Sequence, residues 1–302
     1  MSLSVLVLMG GWSAEREVSL VSGAAVVKAL AERGHKVRAY DATRDIPALL
    51  KALEPRPDVV FNALHGRYGE DGRVQGMLDI LGIPYTHSGV LASALAMNKP
   101  MAKHLFDGAG IRCPEGRVIE RKDAFAGDIY PRPYVMKPLD EGSSVGVRIV
   151  REGDNLPEEW PYGEHVLVER FIPGREITVA VMGERALAVT ELRPKTVFYD
   201  YAAKYTDGKT EHLIPAPLPK DAYDEALDMA LRAHRALGCR GVSRSDLRYD
   251  DTQGGKGRFY LLEVNTQPGM TPLSLVPEQA SHVGISFGDL CQWMVEDARC
   301  DS

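Results

Sequence analysis

Three oxygen-bearing side chains near the carboxyl end of the chain have the types and spacing of a metal site. Glu263 and Asn265 follow an apolar run, residues 259–262, that is typical of a buried strand. Because side chains alternate along a strand, both point to the same face. Asp246 lies in an earlier strand-like run, and the Gly-rich segment 250–257 between the runs suits a hairpin. Pairing the two strands brings the three side chains together, and oxygen ligands of this kind suit Mg²⁺ with substrate phosphates.

A lone Glu-x-Asn sequence is more often part of a solvated hairpin than of a metal site. Here three features favour the metal site: the apolar run before Glu263, Asp246 on the paired strand, and the end of the strand at Pro268 and Gly269. Arg244 is two residues before Asp246 and therefore shares its face in a regular strand.

A strand lysine and a Gly/Ser-rich loop in the middle of the chain are a second candidate. Residues 134–137 predict a strand that ends on Lys137, and the following segment, 139–146, contains Ser143 and Ser144. Such a loop can direct backbone N–H groups and hydroxyls to one anion, and the lysine adds a positive charge. The segment matches neither the P-loop nor the dinucleotide pattern. Taken alone, an ordinary surface turn explains it better.

A third candidate is the apolar strand predicted at residues 166–172, which carries Glu169 and leads to Glu176. A base could bond the exposed backbone where such a strand leaves its sheet, and either carboxylate could hold an amino group or a ribose hydroxyl. In isolation, acidic residues at strand ends are more often simply solvated.

The elements that must position these groups alternate between strand and helix over the first ninety residues. This order predicts a parallel sheet with covered faces. Ligands of such sheets collect at the carboxyl ends of the strands, where Gly10, Gly11, His65 and Gly66 lie. The predicted strands are residues 4–9, 36–40 and 58–62, and the predicted helices are residues 15–33 and 46–53.

The rest of the chain predicts two further domains. A helix opens at Lys99, and short strands, a hairpin turning at Gly183 and a helix at 221–237 follow. Residues 194–219 predict an irregular stretch, which at this length is usually a functional lid or disordered. The predicted domains are 1–96, an amino-terminal α/β substrate domain, 97–175, a central subdomain, and 176–302, a carboxy-terminal subdomain with the metal site and the lid.

Composition excludes several classes of protein. The 302 residues include 44% hydrophobic and 26% charged residues, which is ordinary for a soluble globular protein. A net charge of −6 argues against a nucleic-acid partner. The four cysteines are far apart and indicate neither a disulfide framework nor a zinc site, and residues 3–9 are too short to span a bilayer. We expect a cytoplasmic protein without a membrane partner.

The order of these motifs resembles the ATP-grasp superfamily and, within it, the D-alanine–D-alanine ligase family. The similarity covers essentially the whole chain. It implies an α/β (α+β) class, with an ATP-grasp fold and an amino-terminal parallel α/β domain. The segments that carry the resemblance are residues 10–19, 64–72, 136–146, 199–205 and 262–270.

The resemblance implies ATP-dependent ligation of two D-alanines through a D-alanyl phosphate, for peptidoglycan precursor synthesis. It also implies D-alanine and ATP as small-molecule ligands, two Mg²⁺ (or Mn²⁺) ions and a homodimer. By the family pattern, the metal ligands are Asp246, Glu263 and Asn265. The implied ATP-binding residues are Lys99, Lys137, Ser143, Ser144, Glu169, Glu176 and Lys204.

The same resemblance implies the catalytic and substrate-binding residues. Glu15 would hold the ammonium of the first D-alanine, in a hydrogen-bonded set with Ser143 and Tyr205. The segment around Lys204 and Tyr205 would close over the site. Arg244 and the Gly269 N–H would stabilise the tetrahedral oxyanion. The remaining implied contacts are His65 with the first substrate, and Ser274 and Leu275 with the carboxylate of the second.

Other ligases and a non-catalytic relative are the alternatives. A D-alanine–D-lactate or D-alanine–D-serine ligase would share most of these motifs, and Tyr205 favours an amine substrate. A non-catalytic nucleotide-binding relative predicts the loss of at least one acidic ligand or oxyanion donor, yet all are present. Glu15 and Tyr205 also disfavour other ATP-grasp carboxylate–amine ligases. The chain departs from many relatives at Leu273, and at Arg67 and Tyr68 within the 64–72 motif.

Overall fold

The computed structural model describes residues 2–142, 145–157, 159–194 and 210–301. Its described strands form three sheets, one parallel and two antiparallel. The roles predicted for Ser143, Ser144, Lys204 and Tyr205 fall outside the described residues.

The amino-terminal sheet is parallel, with the order β2-β1-β3. Its central strand is apolar and mostly buried, which is typical of a strand covered on both faces. The alternating order of strands and helices is therefore confirmed. The elements are β1 (Ser4–Gly10), α1 (Arg16–Glu32), β2 (Lys36–Ala42), α2 (Ile46–Ala52) and β3 (Val59–Asn62).

Two short helices that the sequence analysis did not identify follow this sheet, α3 (Arg73–Ile80) and α4 (Val90–Met97). In α3, Gly76 interrupts the helix-forming residues, and α4 is apolar on nearly all sides, so neither shows a clear helical stripe. The predicted start of the next helix, α5 (Lys99–Gly108), is confirmed. The Asn98 side chain caps it by accepting a hydrogen bond from the Met101 N–H at 3.1 Å.

The central sheet is antiparallel and has four strands in the order β4-β7-β5-β6. A single turn of helix, α6 (Arg121–Ala124), follows its first strand. The strands are β4 (Gly116–Glu120), β5 (Tyr134–Lys137), β6 (Arg148–Val150) and β7 (His165–Arg170).

The carboxy-terminal sheet is antiparallel and has five strands in the order β10-β9-β8-β11-β12. The prediction of an irregular stretch over residues 194–219 is wrong at β10, which pairs with β9. A strand this short is decided by its partner rather than by its own sequence. The strands are β8 (Arg175–Met182), β9 (Arg185–Pro194), β10 (Thr210–Leu213), β11 (Val242–Asp250) and β12 (Arg258–Asn265).

Three helices complete the described fold: α7 (Lys220–Ala236), α8 (Leu275–His282) and α9 (Phe287–Asp297). Helix α7 packs its buried alanines against Val179, Val189 and Leu247 of the five-stranded sheet. Ala180, Leu187 and Val242 of the same sheet belong to a second core cluster, with Val276 and Ala280 of α8. Within the described residues, no helix is long and apolar enough to cross a membrane.

Candidate active site

Two cavities of similar size meet at three charged residues, Lys99, Glu141 and Glu263, which line both. The first, about 470 Å³, lies between the four- and five-stranded sheets, and we call it the sheet cavity. The second, about 460 Å³, is formed largely by turns and helix ends, and we call it the loop cavity. Ligands in the two cavities would therefore face each other across the shared residues. The loop cavity is also lined by Glu70, Gly142, Arg244, Asn265, Gly269 and Ser274.

The β11–β12 hairpin brings the predicted oxygen ligands together. In its register Asp246 is opposite Glu263, and Arg244 is opposite Asn265. The register then shifts, because Leu262 is an extra residue on β12. As a result Leu262 and Glu263 both line the sheet cavity.

Cations accompany both carboxylates of this hairpin. The Arg244 guanidinium donates from Nε and Nη2 to the two oxygens of Asp246, at 2.8 and 2.7 Å. The Thr178 hydroxyl also donates to Asp246, at 2.8 Å. The Lys99 Nζ lies 3.7 Å from Glu263 Oε2.

The donor set of the hairpin fits Mg²⁺. Among the described residues no three His, Cys, Asp or Glu side chains are placed to share a metal. A site here would therefore combine the two carboxylates with the Asn265 amide oxygen and with oxygens of the bound ligand, which is the usual way Mg²⁺ is held. The Asn265 Oδ1 is oriented by the Gln267 N–H, which donates to it at 2.8 Å.

Lysines surround a buried glutamate at the sheet cavity. Lys137 ends β5, and its Nζ lies 2.5 Å from Glu169 Oε2 on the neighbouring strand β7. Lys103, one helical turn after Lys99 on α5, also forms an ion pair with Glu169. Burial lowers the pKa of Lys137 well below its ordinary value, and lowers the pKa of Lys103 to about 8. This cluster suits a polyanionic ligand next to a fixed carboxylate.

Lys103 is not among the site residues predicted from the sequence. The signal was its spacing of four residues from Lys99, which places both lysines on one face of α5.

Glu176, the remaining acidic residue predicted for this region, is the second residue of β8 and also lines the sheet cavity. It lies 3.6 Å from the Arg248 Nη1 of β11. The structure therefore places Glu169 and Glu176 on the same cavity as Lys99 and Lys137.

Helix ends and turns position the predicted residues of the loop cavity. Glu15 is buried at the start of α1. His65 is buried too, with its Nε2 3.5 Å from the Ser22 hydroxyl, and burial lowers its pKa. Ser274 immediately precedes α8, its hydroxyl accepts a hydrogen bond from the Thr271 N–H at 3.0 Å, and Leu275 is the first residue of the helix. A Cβ on Gly269 would lie only 2.8 Å from Ser274 Oγ, so this position admits only glycine without rearrangement.

A buried amide network, which the sequence analysis missed, joins the turn after β3 to the turn after β12. The Gln267 side-chain oxygen accepts from Asn62 at 2.9 Å and from Gln75 at 3.3 Å, and its amide donates to the Leu64 carbonyl. Asn62 and Gln75 each also donate to the Gly69 carbonyl at 2.9 Å. The contacts of Gln267 join residues 192 to 205 positions apart and therefore leave no local sequence signal. Together with the hydrogen bonds to Gly69, they hold the turn that carries Glu70.

Two antiparallel sheets that enclose a lysine-lined cavity, next to a parallel α/β domain, define the class of ATP-grasp enzymes. Comparison with known proteins narrows the class. The family model described as "D-ala D-ala ligase C-terminus" matches residues 119–296, and the model described as "D-ala D-ala ligase N-terminus" matches residues 48–88. The chain belongs to the D-alanine–D-alanine ligase family.

Individual relatives agree over the full length. The chain is 60% identical to the D-alanine–D-alanine ligase of Paramagnetospirillum magneticum, covering 100% of both chains. It is 57% identical to that of Parvibaculum lavamentivorans, covering 98% of both. A solved structure of the Bacillus anthracis ligase complexed with ATP is 30% identical, with a TM-score of 0.78, covering 98% of this chain and 97% of the other.

Proposed function

We propose that this chain is an ATP-dependent D-alanine–D-alanine ligase, which joins two D-alanines through a D-alanyl phosphate. The observation that carries the proposal is the meeting of two cavities at Lys99, Glu141 and Glu263. One cavity has the lysines and carboxylates that a nucleotide with Mg²⁺ requires. The other has buried carboxylates, which suit the ammonium group of an amino acid, and a helix amino terminus, which suits its carboxylate. ATP-dependent ligation supplies the dipeptide for peptidoglycan precursor synthesis.

The first chemical step is transfer of the γ-phosphoryl group of ATP to the carboxylate of the first D-alanine. Such a transfer depends mainly on positioning and on charge neutralisation. Lys99 and Lys137 would neutralise phosphates, and Glu169 and Glu176 would contact the adenine amino group and the ribose. Mg²⁺ (or Mn²⁺), held by Asp246, Glu263 and Asn265, would supply further neutralisation of the phosphate oxygens.

The second step is attack by the amine of the second D-alanine on the acyl phosphate, which releases phosphate. The tetrahedral oxyanion that forms requires preorganised donors. Arg244 is suited to this role because its two hydrogen bonds to Asp246 fix the guanidinium plane. The Gly269 N–H would be the second donor.

Substrate binding falls to the loop cavity. Glu15 would hold the ammonium of the first D-alanine and His65 would contact the same substrate. Ser274 and Leu275, at the amino terminus of α8, would receive the carboxylate of the second, where the helix dipole favours negative charge. The roles of Ser143, Ser144, Lys204 and Tyr205 stay predictions from the resemblance.

The direct test is phosphate release from ATP and Mg²⁺ with D-alanine, D-serine or D-lactate, with products identified by mass spectrometry. We expect D-alanyl-D-alanine as the main product when D-alanine and D-lactate compete. Exclusive formation of the ester would instead assign a D-alanine–D-lactate ligase. No D-alanine-dependent phosphate release would indicate a nucleotide-binding relative without ligase activity.

Domain division, assembly and location are also proposals. We propose boundaries after residues 96 and 175, a closing lid at about 194–219, a homodimer and a cytoplasmic location without nucleic-acid or membrane partners. The support is the family resemblance, the net charge of −6 and four cysteines that are all free thiols. Light scattering coupled to gel filtration tests the dimer, and a monomer at micromolar concentration would contradict it.

A further inference from the structure

Glu70 is a buried carboxyl group of the loop cavity that neither chemical step above uses. Only 8% of the residue is exposed, and it lines the cavity. Its Oε2 has no hydrogen-bond partner among the residues that the structure describes. The Gly66 backbone N–H hydrogen-bonds to the carboxyl group and holds it in place. A buried polar oxygen without a partner is costly, so a ligand is its natural complement.

A second carboxylate faces the same space. A Cβ added to Gly142 would lie 3.2 Å from Glu70 Oε1 and 3.3 Å from Glu15 Oε2. Both carboxyl groups therefore border the same side of this glycine, which has no side chain to separate them. An ammonium group donates up to three hydrogen bonds, so one such group can contact both carboxylates.

The electrostatics of the two groups call for a cation. Burial raises the pKa of Glu70 well above its ordinary value, and the charges of Glu15 and Glu263 raise it further. The Arg244 charge and the Gly66 N–H act in the opposite direction. Without a ligand, a proton on Glu70 relieves the repulsion between the carboxylates. The titratable and charged groups near Glu70 or on the same cavity are Glu15, Glu17, His65, Lys99, Glu141, Arg244 and Glu263.

We propose that Glu70 is the second half of the ammonium site, so that Glu15 and Glu70 together hold the ammonium group of the first amino acid. This inference rests on the proposed function, in which Glu15 contacts that ammonium. On binding, the Glu70 carboxylic acid releases its proton to solvent, and the carboxylate forms an ion pair with the ammonium. No covalent bond to the substrate changes in this exchange.

Glu70→Gln separates this role from a structural one, because the amide keeps the shape of the carboxylic acid but can neither ionise nor release a proton. Calorimetric titration of D-alanine at pH 7, with Mg²⁺ and a non-hydrolysable ATP analogue, would be run in two buffers of different ionisation enthalpy. We expect the unmodified protein to release protons when the first D-alanine binds. The variant should release none and bind the first D-alanine roughly tenfold to hundredfold more weakly, as for a lost charge-assisted hydrogen bond.

Steady-state kinetics provide the second readout. Glu70→Gln should raise the KM for the first D-alanine and leave the KM for ATP within about twofold. Glu70→Asp keeps the charge and should retain the proton release, with an intermediate KM. The matched control is Glu32→Gln, an exposed site on α1 that lies 3.9 Å from Lys28 and should change nothing.

The outcomes distinguish this inference from the proposed function. If the unmodified protein makes the dipeptide but Glu70→Gln shows unchanged proton release and an unchanged KM for the first D-alanine, Glu70 is not part of the ammonium site. If Glu70→Gln does not fold, Glu70→Asp decides, and loss of proton release with that variant would also overturn the inference. If the unmodified protein makes no dipeptide, the ligase function itself is wrong.

Discussion

The sheet cavity and the loop cavity, which meet at Lys99, Glu141 and Glu263, differ in how their buried carboxylates are neutralised. In the sheet cavity the buried Glu169 is already compensated by Lys103 and Lys137. In the loop cavity, Glu70 has a carboxylate, Glu15, as its neighbour and requires a proton or a ligand cation. Glu169 is therefore neutralised by the protein itself, whereas we propose that the ammonium group of the substrate neutralises Glu70.

The two cavities also differ in what positions their residues. Most charged groups of the sheet cavity lie on strands, whose hydrogen-bonded ladders fix their spacing. Apart from Arg244 and Glu263, which lie on β11 and β12, those of the loop cavity lie near helix ends and turns, and the Gln267 amide network holds the turn that carries Glu70. Strand positions suit repeated contacts along an extended nucleotide, whereas turns allow groups of both signs to converge on one small amino acid.

The largest effect should come from Arg244, which lines the loop cavity and holds a residue of the sheet cavity. Arg244→Ala should lower turnover roughly a hundredfold to a thousandfold, as for the loss of one oxyanion donor. Binding of ATP should change little, because the lysines of the sheet cavity remain. Steady-state kinetics and an ATP-binding titration check both parts. Turnover at the level of the unmodified protein would remove the oxyanion role.

Glu263 lines both cavities, so removing its charge tests whether a metal ion binds where the cavities meet. Glu263→Gln should raise the Mg²⁺ concentration for half-maximal activity about tenfold or more, because one of two carboxylate ligands is lost. The melting temperature should change little, since 27% of the side chain is exposed and Lys99 lies 3.7 Å away. An unchanged Mg²⁺ dependence would exclude Glu263 as a ligand.

A substitution at Lys103 tests whether ATP binding in the sheet cavity depends on the ion pair between Lys103 and Glu169. Lys103→Met leaves Glu169 with Lys137 as its remaining lysine partner, and Glu169 is only 2% exposed. We expect the KM for ATP to rise several-fold to about tenfold, because Glu169 loses its fixed orientation. The KM values for D-alanine should remain unchanged. Lys122→Met, on the exposed surface of α6, is the matched control. A selective rise in a D-alanine KM would contradict the separation of the two cavities.

The smallest effect on turnover should come from His234, which lies in α7, outside both cavities. Its Nδ1 lies 2.7 Å from the Ser243 hydroxyl, and burial lowers its pKa from 6.5 to about 4. The folded protein therefore favours the neutral imidazole, and the unfolded chain binds more protons below pH 6.5. Stability should fall as the pH decreases from about 6.5 to about 4, by about 3 kcal/mol from this group.

Denaturant titrations across this pH range measure the effect. His234→Gln should flatten the pH dependence of the unfolding free energy and leave turnover at pH 7 nearly unchanged. A variant that retains the full acid-induced loss of stability would show that other groups cause it.

Local periodicity in the sequence determined the strands that carry much of the site, on both cavities. Strand alternation placed Arg244 with Asp246 and Glu263 with Asn265, and the apolar runs identified the strands that carry Lys137 and Glu169. The helix start at Lys99 was predicted from Lys99 and Pro100. These features depend on neighbours in the chain, which a single sequence records directly.

Tertiary structure alone decided several features of the two cavities and of the sheets around them. The extra residue Leu262, the short strand β10 and the approach of Glu70 to Glu15 beside Gly142 depend on partners distant in sequence. So does the pairing of Lys103 with Glu169. The sequence shows the side-chain types of these residues. Their charges interact strongly only after folding brings them together and excludes the water between them.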